Sequence, residues 1–368
     1  MINNPRLSST LMGYLIRHVA VRVLAAIGVI MLIVAVIDTA ELFRRVSNKE
    51  NISAVSVLLM EAIKMPSTLP TLIPFGVLFG LIFSFQKLRS TNEIIIARTN
   101  GLSLFKLSIA PSLFIISLSV FSLIVIDPIA SATKKRFLSL EEDMFGGNGR
   151  NLTVSTEGIW LRDRNTQLSF IMHGDGIDAN TFSLVNPLVY TFDQNNNLLS
   201  RYYPEQLVLE EGYWQISGGK VIRQGGKVLP VDSFQLSSSI SRRDLTHSNK
   251  RPETIPLYQL WGYIDVLDQA GLPSLGHTSY LYYQLSLPLI LVGMVMIIAR
   301  FTLSPTGRVT VGHLVIFSVM LGLLFYFTKD VLYVMGASGR LPPIVAGLAP
   351  GVIMIGIGAL LLIHADEK

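Results

Sequence analysis

Glu93 and Arg98 flank a patch of three isoleucines, Ile94, Ile95 and Ile96, within "SFQKLRSTNEIIIARTNGLSLFKL", residues 84 to 107. An acid, a guanidinium and a small oily face on one short helix suit a docking surface: the isoleucines enter a groove and the charges meet a partner. The same composition also suits a helix that rests on the lipid surface, and on residue types alone the two readings stand level. A second cluster, Arg44, Arg45 and Lys49, follows the first long apolar run. Arginine forms charge-assisted, often bidentate bonds to phosphate, so the group marks a site for an anionic ligand at a membrane face. Glu41 and Glu50 stand close enough in the chain to neutralise any one of its members. Phe325 and Tyr326 form an aromatic pair in a later apolar run, where packing is the commoner role. Asp38, Asp127 and Asp330 fall at the ends of apolar runs, where acids are ordinarily solvated.

Other chemistry is missing. The chain has no cysteine, which excludes disulfides, thiolate metal sites and a cysteine nucleophile. "GGKV" occurs at 218 to 221 and at 225 to 228, but neither copy has the spacing or the hydroxyl of a phosphate-binding loop. There is no H-E-x-x-H and no G-x-S-x-G, and the six histidines are scattered. We therefore expect a non-catalytic chain without a cofactor of its own.

The elements that position these residues are membrane spans. Half of the 368 residues are hydrophobic and 15% are charged, against roughly a quarter in an ordinary soluble domain. The net charge of +5 gathers beside apolar runs, which is the pattern of membrane topology and not of nucleic-acid binding. Six runs meet the requirement of about 20 apolar residues per crossing. They are approximately Val19 to Ile37, Met65 to Phe85, Leu107 to Ile126, Tyr280 to Ala299, Val309 to Thr328 and Leu341 to Ile363. The first is too long for a signal-peptide core and is read as a retained span. Arg6, Arg17 and Arg22 precede or open it; Lys87, Arg89, Arg98 and Lys106 lie between the second and third runs; Arg300 and Arg308 lie between the fourth and fifth. All three sets fall on one side, which predicts a cytoplasmic face holding both termini and the opening stretch. Pro66, Pro70 and Pro74 recur every four residues in the second run, placing their rings on one face of a distorted helix.

Ser131 to Gly276 differs in composition. Alternating segments such as "NLTVSTEGIWLRD", "QLSFIMHG", "PLVYTFD" and "VDSFQLSS", with a break at Gly218-Gly219, predict an all-β domain on the far side of the membrane. "IPLYQLWGYIDVLDQAG" has apolar residues at helical spacing and predicts an amphipathic helix leading back to the fourth span. The organisation is thus 1–130 with three spans and a helix at about 90–100, then 131–276, then 277–368 with three spans. Ser90 and Glu93 have capping-box spacing at the start of the short helix, and Gly101 sits where it should stop.

This layout of three spans, β domain and three spans resembles the LptF/LptG permeases of the lipopolysaccharide-export ABC transporter. "STNEIIIARTNGL" is similar to the family's coupling helix, and "GRLPPIVAGLAP" to its lead into the last span. "STEGIWLRD" and "EGYWQISGGKVI" resemble parts of its β-jellyroll, while "LYQLWGYIDVLDQAG" and Pro342-Pro343 lean toward the LptG branch. The resemblance implies a permease in the bacterial inner membrane with a periplasmic β-jellyroll. Its partners would be an LptF-type permease, a dimer of an LptB-type ATPase carrying ATP and magnesium, a single-span LptC-type protein beside the first span, and a periplasmic bridge protein. It further implies that Glu93, Arg98, Ile94 and Ile95 meet the ATPase. Lipopolysaccharide extracted from the outer leaflet would meet Arg44, Arg45 and Lys49 with its phosphates, and an apolar wall including Phe325 and Tyr326 with its acyl chains. One departure is that enterobacterial members have a lysine three residues before the aspartate matching Asp38, where this chain has Ala35. Readings outside this family are a membrane enzyme acting on lipid-linked envelope precursors and a lipoprotein-releasing ABC permease.

Overall fold

The computed structural model describes residues 8–366 apart from 47–52, 146–150, 156–157, 165–168, 179–180, 194–196, 224–227, 239–250 and 304–310. Arg6, Lys49 and Arg308 lie outside the described residues. The chain divides into two compact units. One holds residues 1–140, 253–257 and 275–368, and the other 141–252 and 258–274.

The first unit is helical. Among the described residues, six helices are long and apolar enough to cross a membrane. They are α1 (Ser9–Val46), α2 (Ala54–Ser90), a composite third span, α7 (Leu275–Leu303), α8 (Val311–Ala337) and α9 (Pro343–Asp366). The third span is built from α4 (Leu104–Phe121), a π turn (Ser122–Ile126) and α5 (Asp127–Phe145). The first four spans outrun at both ends the apolar stretches that revealed them, and the last two at their C-terminal ends, because hydropathy marks the hydrocarbon layer and not the end of the hydrogen-bonded helix. The expected opening of the β domain at Ser131 is corrected for the same reason: residues 131–145 continue α5. Lys134, Lys135 and Arg136 end the apolar run there without breaking the helix.

Backbone approach fixes the α1–α2 pair. In "GVLFG", a Cβ on Gly76 would stand 2.2 Å from Ile27 Cγ1, and one on Gly80 would stand 2.4 Å from Val23 Cα. Small residues four apart let two spans close to this distance, where dispersion is strongest. Val19, Val23, Val77 and Leu81 are fully buried alongside. Pro66, Pro70 and Pro74 all lie inside α2. The helix runs through them while Ser67 Oγ donates to the Lys64 carbonyl at 2.6 Å and Thr68 Oγ1 to that of Met65 at 2.8 Å.

The second unit contains two antiparallel sheets. Strands are β1 (Asn151–Ser155), β2 (Gly158–Arg164), β3 (Ser169–Gly174), β4 (Gly176–Asp178), β5 (Ser183–Val185), β6 (Leu188–Phe192), β7 (Leu198–Tyr203), β8 (Gln206–Glu210), β9 (Tyr213–Ser217), β10 (Lys220–Arg223), β11 (Val228–Pro230) and β12 (Ser233–Ser237). Their order is β1-β2-β3-β6-β7-β10-β11 in one sheet and β12-β9-β8-β5-β4 in the other. Successive hairpins therefore alternate between sheets, and β3, β6, β8 and β9 bury alternate residues. Phe170, Met172, Val189, Leu207, Leu209 and the fully buried Trp214 meet in a shared core. Leu267, Ala270 and Leu272, at the end of α6 (Leu257–Gln269) and just after it, close that core. The all-β expectation holds; the three-residue strands β4, β5 and β11 escaped it because so short a run carries no alternation signal.

Candidate functional site

Two places in the helical unit gather residues of functional type. The first is α3 (Glu93–Thr99), a seven-residue helix between α2 and α4. The expected ten-residue helix with a Ser90–Glu93 capping box does not form. Ser90 is the last residue of α2, and its hydroxyl donates to the Lys87 carbonyl at 2.9 Å. The turn is made instead by Asn92 in the left-handed region, φ +61°. The expected stop does form. With Gly101 at φ +83°, its N–H reaches the Arg98 carbonyl and the Leu102 N–H reaches that of Ala97, which closes a Schellman motif.

The helix is two-faced. Ile94 is 4% exposed and packs into the chain's own core, whereas Ile95 and Ile96 are 54% and 59% exposed. Thr91 Oγ1 donates to Glu93 Oε1 at 2.7 Å. Partial burial pushes the Glu93 carboxyl up, but the hydroxyl of Thr91, that of Tyr14 on α1 and the charges of His18 and Lys87 outweigh it and hold it below the usual carboxylate range. Glu93 is thus kept ionised at the edge of the exposed isoleucines. Arg98 is half-buried, and its Nη1 has no hydrogen-bond partner among the described residues.

The second place is a cavity of about 370 Å³ in the half of the bundle away from α3. Pro70, Pro74 and Phe75 of α2, Tyr283 and Leu287 of α7, and Phe325 and Tyr326 of α8 line it. Lys134 of α5 and Lys329 of α8 bring positive charge to it. The Lys329 ammonium lies 4.5 Å from the centroid of Tyr326 and 5.4 Å from that of Tyr283, and 2.9 Å from Asp330. A cation resting on aromatic rings, with a second lysine beside an apolar wall, suits a ligand with an anionic head and a hydrocarbon tail. Phe325 and Tyr326, for which packing is the commoner role on residue type alone, share this cavity.

Arg44 and Arg45 are not among its lining residues. Both lie in the last turn of α1, and Arg45 Nε donates to Glu41 at 3.0 Å, the local neutralisation that their spacing allows. Lys134 and Lys329 were missed by sequence reading. A lysine two residues after "LFYF" was a signal for the second, since the end of an apolar aromatic run is a place for a cation that must reach an interface.

Asp127 overturns the expectation that span-end acids are solvated. It is 4% exposed, and its Oδ2 accepts the Leu257 N–H at 2.7 Å, satisfying an orphan donor at the start of α6. Asp38 is also engaged, by Lys64 at 2.6 Å. Among the described residues no group of three histidine, aspartate or glutamate side chains could hold a metal ion.

The family model described as "Lipopolysaccharide export system permease LptF/LptG" matches residues 13–364. The chain is also similar to the lipopolysaccharide export system permease protein LptG of Haemophilus influenzae, with 22% identity over 360 residues, 94% of this chain and 96% of that protein. A match running from the first span through the β domain to the last span covers the helix α3, the cavity and both sheets together. This chain therefore belongs to the LptF/LptG family of lipopolysaccharide export system permeases.

Proposed function

We propose that this chain is the LptG-type subunit of an ATP-driven machine that lifts lipopolysaccharide from the outer leaflet of the bacterial inner membrane. The observation that carries this reading is the cavity, in which Lys134 and Lys329 face an aromatic and proline-rich wall within the spans of a lipopolysaccharide-export permease. The glycolipid's phosphates pair with the lysines, and its acyl chains lie against Phe325, Phe75 and Leu287. Arg44 and Arg45 add positive charge along the route, with Arg45 exchanging Glu41 for phosphate. A volume of about 370 Å³ equals about a dozen waters. That is far too small for a whole multi-acyl glycolipid, which supports a cavity shared with an LptF-type permease. The weakly buried α1 and α8, with Leu32, Ile33, Val36, Leu324 and Phe327 exposed, offer apolar faces for that subunit and for a single-span LptC-type chain.

Energy enters through α3. Ile95, Ile96 and the ionised Glu93 fit a groove in an LptB-type ATPase, which holds the ATP and magnesium. This places α3 and both termini in the cytoplasm and the β unit in the periplasm, where its sheets pass lipid to a bridge protein. The test is a mild-detergent pull-down of the tagged chain from native membranes, followed by reconstitution of what is recovered. An ATPase and a second six-span permease should co-purify, and ATP should drive release of lipopolysaccharide. Glu93→Gln should lower release per ATP without loss of insertion. Recovery of the chain alone, under conditions that keep other membrane complexes whole, would sink the reading.

A further inference from the structure

The helical unit holds a second hollow, a groove of about 260 Å³ between α8 and α9 with α7 at its base. Ile297, Phe325 and Met354 are buried in its floor, while Leu324, Ile353 and Ile357 stand exposed along its margins, so it opens to the outside of the bundle. Uneven packing creates it. A Cβ on Gly293 of α7 would stand 2.5 Å from the Met354 backbone, so α7 and α9 touch closely here. α8 comes as near to α9 only further along, where a Cβ on Gly336 would stand 2.6 Å from that of Ala346; at the level of the groove it presents Phe317, Leu321 and Leu324. Thr328 alone among the described lining residues is polar. An apolar hollow of this kind holds no water, and the medium at the open side of a membrane span is hydrocarbon.

The shape and the surrounding charge select the occupant. From Phe317 to Thr328 the groove runs about 16 Å along α8. That is half of a hydrocarbon layer of about 30 Å, the depth of one leaflet. Its volume takes about nine groups the size of a water molecule, enough for a stretch of one acyl chain and not for two. One end of the groove lies where the rings of Phe301 and Phe317 meet at 4.4 Å, within the last turns of α7 and the second turn of α8. This is the end of the bundle that holds α3, since Arg89 in the last turn of α2 donates to the Thr302 carbonyl at 3.4 Å. Arg300, beside Phe301 in the last turn of α7, adds a second cation there. Basic clefts between spans on this side of a membrane take anionic head groups. Lys134 and Lys329 serve the opposite half of the bundle, so a lipid headed by Arg300 belongs to the other leaflet from one headed by those lysines.

We propose that the groove holds one acyl chain of an anionic phospholipid from the leaflet on the α3 side, with its phosphate at Arg300. Phe325 lines both the groove and the cavity, so the resident chain backs the aromatic wall of the cavity from behind. This goes beyond the export reading, because the groove keeps its lipid whatever the cavity carries.

The test reads tryptophan emission from the full chain in phosphatidylcholine nanodiscs. Trp160, Trp214 and Trp261 all lie in the second unit, so Phe317→Trp places a single reporter in the spans, beside the groove. Emission is titrated with phosphatidylglycerol or phosphatidylcholine brominated on the acyl chain. One cation near the surface favours an anionic lipid about fivefold, so half-maximal quenching should need about fivefold less of the brominated phosphatidylglycerol. Leu360→Trp, at an exposed position of α9 outside the groove, should be quenched alike by both lipids. Adding Arg300→Gln to Phe317→Trp should remove the preference and leave quenching by phosphatidylcholine unchanged, and a preference that survives would overturn the proposal. Unlabelled lipopolysaccharide should not restore emission. Equal quenching of Phe317→Trp by both lipids would reduce the groove to ordinary bilayer contact, and no quenching would show that the protein fills it; either result overturns the proposal. Recovery of emission with lipopolysaccharide would overturn it too, by giving the groove to the exported lipid.

Discussion

Gly80→Ala is expected to pry α1 from α2. The added methyl would sit 2.4 Å from Val23 Cα and 2.8 Å from Val23 N, whereas carbon atoms rest at about 3.5–4.0 Å. Both obstacles are backbone atoms, so no rotamer change can relieve them, and the helices must separate by about 1 Å. A gap of that size forfeits a quarter to a half of each contact's attraction, and Val19, Val23, Val77 and Leu81 all lie fully buried beside it. Overpacking of this kind costs about 1–3 kcal/mol, offset by up to about 1 kcal/mol from alanine's better helix propensity. The expected net loss is about 1–2 kcal/mol. Gly28→Ala supplies the control within α1, because a Cβ there meets nothing within 4 Å and gains the propensity without the clash. Thermal and denaturant unfolding of the purified chain in detergent should order the variants Gly28→Ala, wild type, Gly80→Ala from most to least stable. Equal stability of the two alanine variants would refute the close-packing argument.

Asp127→Ala should cost about 2 kcal/mol in the same unfolding assay, because it strands the buried Leu257 N–H without an acceptor. Asp127→Asn, which keeps an acceptor oxygen, should recover most of that loss. Lys329→Ala should weaken photo-cross-linking of lipopolysaccharide to a probe in the cavity by about tenfold, while Lys329→Arg retains it.

What the sequence made legible was whatever repeats along the chain. Apolar length revealed the six spans, alternation revealed the longer strands, and Gly101 revealed the end of α3 through the positive φ that its Schellman motif requires. The glycines of "GVLFG" went unread in the sequence, and only their close approach to Val23 and Ile27 shows what they do. Pairings made by folding were not legible. Asp127 meets Leu257, and His18 meets Ser84, across long stretches of chain in which nothing local links the partners. Lys134 and Lys329 come together at the cavity for the same reason. Ser90 shows the converse failure: its spacing to Glu93 fits a cap, but α2 runs through it and claims the hydroxyl first. Arg45 shows how a nearby acid in sequence can decide a cation's resting partner, since Glu41 lies one turn earlier on the same helix.

The π turn in the third span shapes how that helix points. In it the Asp127 N–H reaches back to the Ser122 carbonyl, so the turn holds one residue more than an α turn. Each residue of an α-helix advances about 100° around the axis and only about 1.5 Å along it. Removing one residue between 122 and 126 would therefore hardly shorten the span, yet it would swing Asp127 off the Leu257 amide and Lys134 out of the cavity. The extra residue acts as a phase offset, letting the membrane-facing half of the helix and its α5 half be aimed independently although they share a single axis.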